Sequence, residues 1–216
     1  MLEQMAYAAP FLVDGFLVTL TVSAIVVSVS LVIGLLLGLG LVYGPWPLRW
    51  AVRILSDTIR GIPVLVLIFF VYYGLPALGL NLPALTAAIV ALILFKVAQV
   101  VENVRGAVGS IPRGQGEAAK AIGLTFFWRL RDVILPQAVR RFLPPWINGV
   151  TDAVKGSALI SLLGVTDLMH AINQVIGRTY DALPLYVMGA LIYFAVNYLL
   201  SFASRRLEAR FAYIRE

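Results

Sequence analysis

From Phe11 to Val42 the chain carries one charged residue, Asp14, near one end. About 20 apolar residues are enough for a helix to cross the hydrocarbon of a bilayer. Backbone inside lipid must also satisfy its own hydrogen bonds, which only helices and closed barrels do. Four more apolar stretches follow, at roughly 61–80, 84–107, 136–165 and 183–202. The chain is 61% hydrophobic and 13% charged, with a mean hydropathy of +0.92; soluble domains carry roughly a quarter charged residues. The expectation is an all-α integral membrane protein with about five transmembrane helices, residues 1–216 forming one transmembrane domain. A short helix over about 166–176 is expected outside the bilayer. No stretch remains for a soluble catalytic domain.

A net charge of +6 invites a nucleic-acid reading, but the distribution of charge argues against it. Of 17 lysines and arginines, all but Lys96, Lys155 and Arg178 fall in two interhelix segments and the C-terminal end. Arg49, Arg53 and Arg60 mark the first segment, Arg105 to Arg141 the second, and Arg205, Arg206, Arg210 and Arg215 the tail. That is the positive-inside pattern. It predicts a multi-pass protein of a bacterial inner membrane, with the N-terminus outside and the C-terminus cytoplasmic. Residues 1–10, with Glu3 alone charged, are expected outside. No basic region precedes the first apolar run, so no cleaved signal peptide is read there. With no cysteine, disulfides and thiolate metal sites are excluded. The single histidine, His170, lacks partners at metal-ligand spacing and reads as a surface residue.

Local signals refine the spans. Gly34 and Gly38, four apart, form a small-xxx-small face suited to close helix packing. Tyr43-Gly44-Pro45-Trp46-Pro47 ends the first helix, and Trp46 and Trp50 suit a membrane interface. Pro144-Pro145 predicts a kink or break in the fourth span. The segment Glu117 to Pro136 (EAAKAIGLTFFWRLRDVILP) is too polar to cross a bilayer and reads as a surface helix–turn–helix. A short helix is expected to start at Glu117, where an acidic residue suits the dipole. Gly123 ends it, Thr125 caps the next segment, and Pro136 begins a new helix.

This segment resembles the EAA signature of ABC importer permeases, EAA-x3-G-x9-I-x-L-P. Glu117, Ala118, Ala119, Gly123, Leu135 and Pro136 match, and Val133 stands in the isoleucine position. Arg60-Gly61-Ile62-Pro63, Tyr72-Tyr73-Gly74-Leu75-Pro76, the RGAVGSIPRGQG run from Arg105, and Arg178-Thr179-Tyr180 resemble the branch of that family serving polar amino acids and opines. The resemblance implies a type I ABC importer-like fold, with cytoplasmic coupling helices, about 112–132, between the third and fourth spans. It implies a second permease subunit, identical or not, two cytoplasmic ATPases and an external solute-binding protein, within membrane lipid and with no nucleic acid. Transport would proceed by alternating access. This chain has no P-loop, so ATP and magnesium would bind the partner ATPases; no nucleophile–base set is present, and no enzyme activity is expected of the chain. Glu117, Ala118, Ala119 and Gly123 would carry ATPase coupling. Arg129 and Arg131 would meet lipid phosphates or the ATPase, or serve as solvated charge.

The candidate substrate path is polar and intramembrane. Lys96 lies about 13 Å along the helix axis from Arg105, a depth at which ionisable side chains face a cavity or a partner. Lys96, Gln99 and Asn103 share a helix face, with Glu102 at its edge. Asn148, Asp152 and Lys155 share another. Lys96 either lines the path or pairs with a carboxylate such as Asp152, or does both. Ser157 completes the candidate set. The family's S-G-A-Y is Lys96-Val97-Ala98-Gln99 here, and its K-D-[TS]-S-L is Lys155-Gly156-Ser157-Ala158-Leu159. These departures suggest a solute with negative charge, such as an acidic amino acid or opine, or else the non-binding half of a heterodimer. The rival classes are a secondary transporter or channel independent of ATP, and an intramembrane enzyme. No internal repeat supports a carrier, and no clustered catalytic set supports an enzyme.

Overall fold

The computed structural model describes the backbone of residues 2–211 and the side chains of residues 9–206. The side chains of Glu3 and Arg210, and all of Arg215, lie outside it. The described residues contain helices and no strand. Helix α1 (Leu2–Tyr43) is followed by α2 (Trp46–Gly61) and α3 (Val64–Phe69). A π turn (Phe70–Gly74) and a 3-10 turn (Leu75–Leu78) complete the α3 segment, and α4 (Ala84–Gly109) returns. Next come α5 (Arg113–Ala121), one turn of α6 (Phe126–Trp128), a π turn (Arg129–Ile134) and α7 (Leu135–Ser157). A 3-10 turn (Ala158–Leu163), α8 (Leu168–Thr179) and α9 (Ala182–Phe211) finish the chain.

Three of these helices are each long and apolar enough to span a membrane: Ala9–Tyr43, Ala84–Gly109 and Ala182–Arg206. Two bent pairs, Trp46–Gly61 with Val64–Leu78 at 106° and Phe126–Leu163 with Leu168–Thr179 at 49°, bring the crossings to five when each counts once. The first connection differs from the expected loop. Pro45 fixes an extended residue before a new helix, so residues 46–61 form the amphipathic α2 with Val52, Ser56 and Ile59 buried. The second span therefore begins at Val64, after Ile62 and Pro63 leave helical geometry.

Helix α4 is the centre, packing on α1, α2, α3 and α7. Its buried face is built from Ala87, Ala88, Ala91 and Ala98 against Val22, Val26, Ile68 and Ile160. The expected small-residue contact lies within the chain. A Cβ on Gly34 would sit 2.5 Å from Val100 Cβ, and one on Gly38 2.7 Å from Val104 Cβ. At its other end α1 receives α8. The Thr19 hydroxyl accepts from the Leu168 amide at 3.1 Å, and Asp167 caps α8 by accepting from the His170 amide at 2.9 Å. Asp167 is fully buried, and His170 belongs to no candidate metal cluster among the described residues.

Prolines act differently from the expectation. Helix α7 runs through Pro144-Pro145 without a break; packing on α4 and α9 holds it where two backbone donors are missing. Helix α7 does begin beside Pro136, at Leu135, but with no loop before it. The ladder widens into a π turn and continues, since bonding each carbonyl one residue further carries it past a residue without N–H. The Gln137 side-chain amide also donates to the Val133 carbonyl at 2.9 Å.

The α1–α4 contact yields a direct test. Gly38→Leu should lower stability by about 1–3 kcal/mol through overpacking, seen as a lower midpoint in thermal unfolding of the detergent-solubilised protein. Gly106→Ala, whose Cβ would meet nothing within 4 Å, should leave the midpoint unchanged. Equal effects of the two would show that α1 and α4 do not pack through this glycine face.

Candidate functional site

Two groups of predicted residues resolve into separate places, one beyond the spans and one inside them. The first is the turn between α4 and α7. Helix α5 starts at Arg113 after Pro112, four residues earlier than expected, so Glu117 sits in its second turn rather than its first. Pro112, at φ −55°, is preorganised to lead into a helix. At the other end the Gly123 amide donates to the Lys120 carbonyl at 3.0 Å and the Leu124 amide to Ala119 at 3.1 Å. These paired bonds are a Schellman cap, and Gly123 at φ +83° takes the left-handed position it requires. Thr125 occupies the next cap position by its backbone alone; its hydroxyl makes no capping bond.

This turn is mostly outside the packing. Glu117, Ala118 and Gly123 are exposed, while Ala119 is buried and α5 rests on the following π turn. Ile122, Phe126 and Phe127 are 77%, 51% and 62% exposed. Arg129 lies 5.7 Å over the Phe126 ring and Arg131 5.2 Å over Trp128, so both cations are engaged with aromatic rings of their own segment. Arg131 also approaches Asp132 at 3.8 Å. Behind the turn, the Arg141 guanidinium donates to the Ser110 carbonyl at the end of α4, and Gln137 donates to Gln115 at 3.3 Å. Exposed apolar groups mixed with acidic and basic ones, on a firmly tied turn, make the kind of surface that protein partners cover.

The second place is intramembrane. Lys96 is 7% exposed, and its ammonium donates to the Gln99 side-chain carbonyl at 2.7 Å. It reaches toward Gly149 on α7, and Ser30, Asn103 and Trp146 close around it. The space left there holds no more than about one water molecule. Lys96, Gln99 and Asn103 are thus brought together as their spacing implies. Glu102 points elsewhere, to Arg105 at 2.8 Å and to Arg60 at 3.6 Å, joining α4 to the end of α2. Lys96 has no carboxylate within ion-pair distance among the described residues. Asp152 pairs instead with Lys155, at 2.9 Å on its own helix, and both side chains are more than half exposed. The i,i+3 spacing makes that partner the nearer one. Ser157 is fully buried, with its hydroxyl donating to the Val154 carbonyl at 2.8 Å.

Charged groups exposed on a spanning helix must face water or another protein. Asp152 and Lys155 therefore mark a face of α7 that a partner or an aqueous path covers. Ser30 and Trp146 around Lys96, and buried Asp167, escape the sequence reading. Asp167 did carry a signal, an acidic residue at the start of a helix.

The native chain lacks cysteine, so single cysteines report without background. With the protein in membranes, Asp152→Cys should react with a charged thiol reagent at least about tenfold faster than Lys96→Cys, since reaction follows exposure. Equal rates would mean that the Asp152 face is covered or that the Lys96 cleft is open.

Comparison with known proteins gives a consistent result. The family described as "binding-protein-dependent transport system inner membrane component" matches residues 30–213. The chain is 40% identical over 204 residues to the probable glutamine ABC transporter permease protein GlnP of Bacillus subtilis, covering 93% of each. It is 36% identical over 205 residues to the glutamine transport system permease protein GlnP of Escherichia coli K12, covering 94% of each. Among solved structures, an amino acid ABC transporter crystallised with histidines superposes with a TM-score of 0.90 at 31% identity, over 95% of this chain and 96% of that one. The inward-facing MetNI methionine ABC transporter superposes with a TM-score of 0.79 at 26% identity, over 98% and 99%.

Proposed function

This chain belongs to the family of binding-protein-dependent transport system inner membrane components, and from that premise we propose that it passes a polar amino acid inward on the power of a separate ATPase. It is the membrane-spanning permease of an ABC importer, with the fold of the type I permeases. The observation that carries the coupling reading is the exposed turn from Glu117 to Trp128, rigidly capped at Gly123. Glu117 and Ala118, with exposed Ile122, Phe126 and Phe127, enter a cleft of the ATPase. Ala119 seats the helix, and Arg129 and Arg131 stiffen the aromatic side of the turn. ATP and its magnesium bind the two ATPase subunits, and an external binding protein delivers the solute. The basic ends of the spans lie in the cytoplasm with the C-terminus, and the N-terminus lies outside.

The solute path runs along the face of α7 that carries Asp152 and Lys155, at the seam with a second permease subunit. An amino acid zwitterion matches that pair: its ammonium replaces Lys155 at Asp152, and its carboxylate replaces Asp152 at Lys155. Lys96, neutralised by no carboxylate among the described residues, favours a further negative group when its cleft opens, which extends the reading to acidic or opine-like solutes. Gln99 and Asn103 supply neutral hydrogen bonds. Glu102 holds the mouth of the path through Arg60 and Arg105. A second reading, favoured by the closed cleft at Lys96, makes this chain the non-binding half of a heterodimer.

Reconstitution into liposomes with the candidate ATPase and binding protein tests both readings. One class of amino acid should stimulate ATP hydrolysis, and Glu117→Lys should reduce that stimulation by about tenfold or more, the scale for a lost charge-assisted contact. Lys155→Met should raise the half-saturating solute concentration while the ATPase stays bound. Activity indifferent to Glu117→Lys would overturn the coupling role; stimulation indifferent to both Lys155→Met and Lys96→Ser would move the solute site to the partner permease.

A further inference from the structure

Helix α2 enters the transport reading only through Arg60, at its end. It leaves the end of α1 through Gly44 and Pro45 and is turned 106° from the segment that follows. Val52, Ser56 and Ile59 face protein. A quarter turn round the same helix, Trp46, Arg49, Trp50 and Arg53 line a cavity of about 740 Å³. Its opposite wall is Arg105, near the end of α4, and Arg113, the first residue of α5. Four guanidinium groups thus border one space, and among the described residues only Arg105 forms an ion pair, with Glu102, whose carboxylate also feels the charge of Arg53. Arg49, Arg53 and Arg113 make no ion pair among the described residues.

Two further observations say what fits. The apolar margin of the cavity is Leu41 and Val42, at the end of the first span, so the cavity sits where hydrocarbon gives way to headgroups. Trp46 and Trp50, with ring centres 6.1 Å apart, are 70% and 56% exposed. Indole rings prefer that depth of a membrane. Arginine forks bind phosphate oxygens in pairs, and basic pockets between spanning helices hold anionic headgroups. A ligand with a phosphate at one end and acyl chains at the other satisfies the arginines, the indoles and the apolar margin together. An acidic protein segment would satisfy only the arginines.

We propose that this cavity binds the phosphate headgroup of an anionic membrane lipid. The phosphate lies between Arg49 and Arg53 on one side and Arg105 and Arg113 on the other, with the acyl chains running along Leu41 and Val42. Because Arg113 opens α5, an occupied cavity fixes the start of the docking turn to α2 and α4. That consequence rests on the coupling reading; the binding does not.

The test uses the full chain in phosphatidylcholine vesicles doped with brominated phosphatidylglycerol or brominated phosphatidylcholine. Bromine quenches indole fluorescence on contact. With Trp128→Phe and Trp146→Phe, only Trp46 and Trp50 report; the unaltered chain gives the same preference at smaller amplitude. Half-maximal quenching should come at a mole fraction at least about tenfold lower for the brominated phosphatidylglycerol, since even two basic groups near the surface, at about a factor of five each, contribute about 25-fold. Arg49→Gln with Arg53→Gln should abolish the preference, and Arg49→Lys with Arg53→Lys should keep part of it. Equal quenching by the two lipids, or a preference that survives removal of both charges, overturns the proposal. Relief of quenching by millimolar inorganic phosphate, with no preference between lipids, would assign the cavity to free phosphate and overturn the lipid. Bromolipid is present in both leaflets, so the result is independent of insertion direction, and a negative result leaves the transport reading standing.

Discussion

The structure depends on how closely α1 and α4 approach. Lipid tails are as apolar as the side chains they would replace, so helices in a bilayer are not driven together by the burial that folds a soluble core. Association needs tight packing, and tight packing needs small residues at the crossing. Gly34 and Gly38 provide it: each presents bare backbone to a valine of α4, Val100 and Val104. The alanines of α4 then do the same for α3 and the turn after α7. A third glycine on α1, Gly15, admits the Asp167 carbonyl, and this lets the Thr19 hydroxyl reach the first amide of α8. One face of one long helix thereby fixes both the centre of the bundle and its far corner.

Prolines set the second constraint, and they do it in the same way twice. Leu75-Pro76 and Leu135-Pro136 each follow a π turn that ends at the residue before the leucine. A proline removes one donor from the ladder, and a turn with a wider repeat moves the gap rather than breaking the helix. The first instance carries the second span into its terminal 3-10 turn. The second converts an expected helix boundary into a continuous rod from Phe126 to Ser157. The stretch between the exposed turn and the charged pair on α7 therefore contains no loop.

Much of this was legible in the chain, because membrane physics leaves few choices. Long apolar runs, the positions of the arginines and the Gly34–Gly38 spacing gave the spans and the close contact of α1 with α4. The Schellman glycine at 123 was visible because only a left-handed residue completes that cap. The failures are local and share a cause: sequence spacing reports faces, not distances. It placed Lys96, Gln99 and Asn103 together, yet could not show that Gln99 lies nearer to Lys96 than Asp152 does, or that Trp146 closes the space. It read residues 46–60 as a basic connection, where amphipathic periodicity and Pro45 make a helix. It started α5 at Glu117 on a dipole argument, while Pro112 had already fixed the first turn.

The partition of charge links the fold to the proposed work. Only Lys96, Lys155 and Arg178 lie apart from the basic ends. Keeping a lysine inside a span is costly unless it is partnered. Lys155 has Asp152, in a pair left open to the outside of the chain, while Lys96 has a neutral amide in a closed cleft. Lys96 sits in the seam between α4 and α7, and Lys155 lies on the side of α7 that meets α8 and α9; α4 and α7 are the two helices that the exposed turn connects. The turn continues into α7 as one helix, and Arg141 of α7 ties that helix to the end of α4 through the Ser110 carbonyl. In the coupling role proposed for it, a displacement of the turn would pass into α7 with no loop between them. On the proposed function, the same movement would open the cleft over Lys96 and shift the exposed pair on α7, with no relay of side chains needed between turn and path.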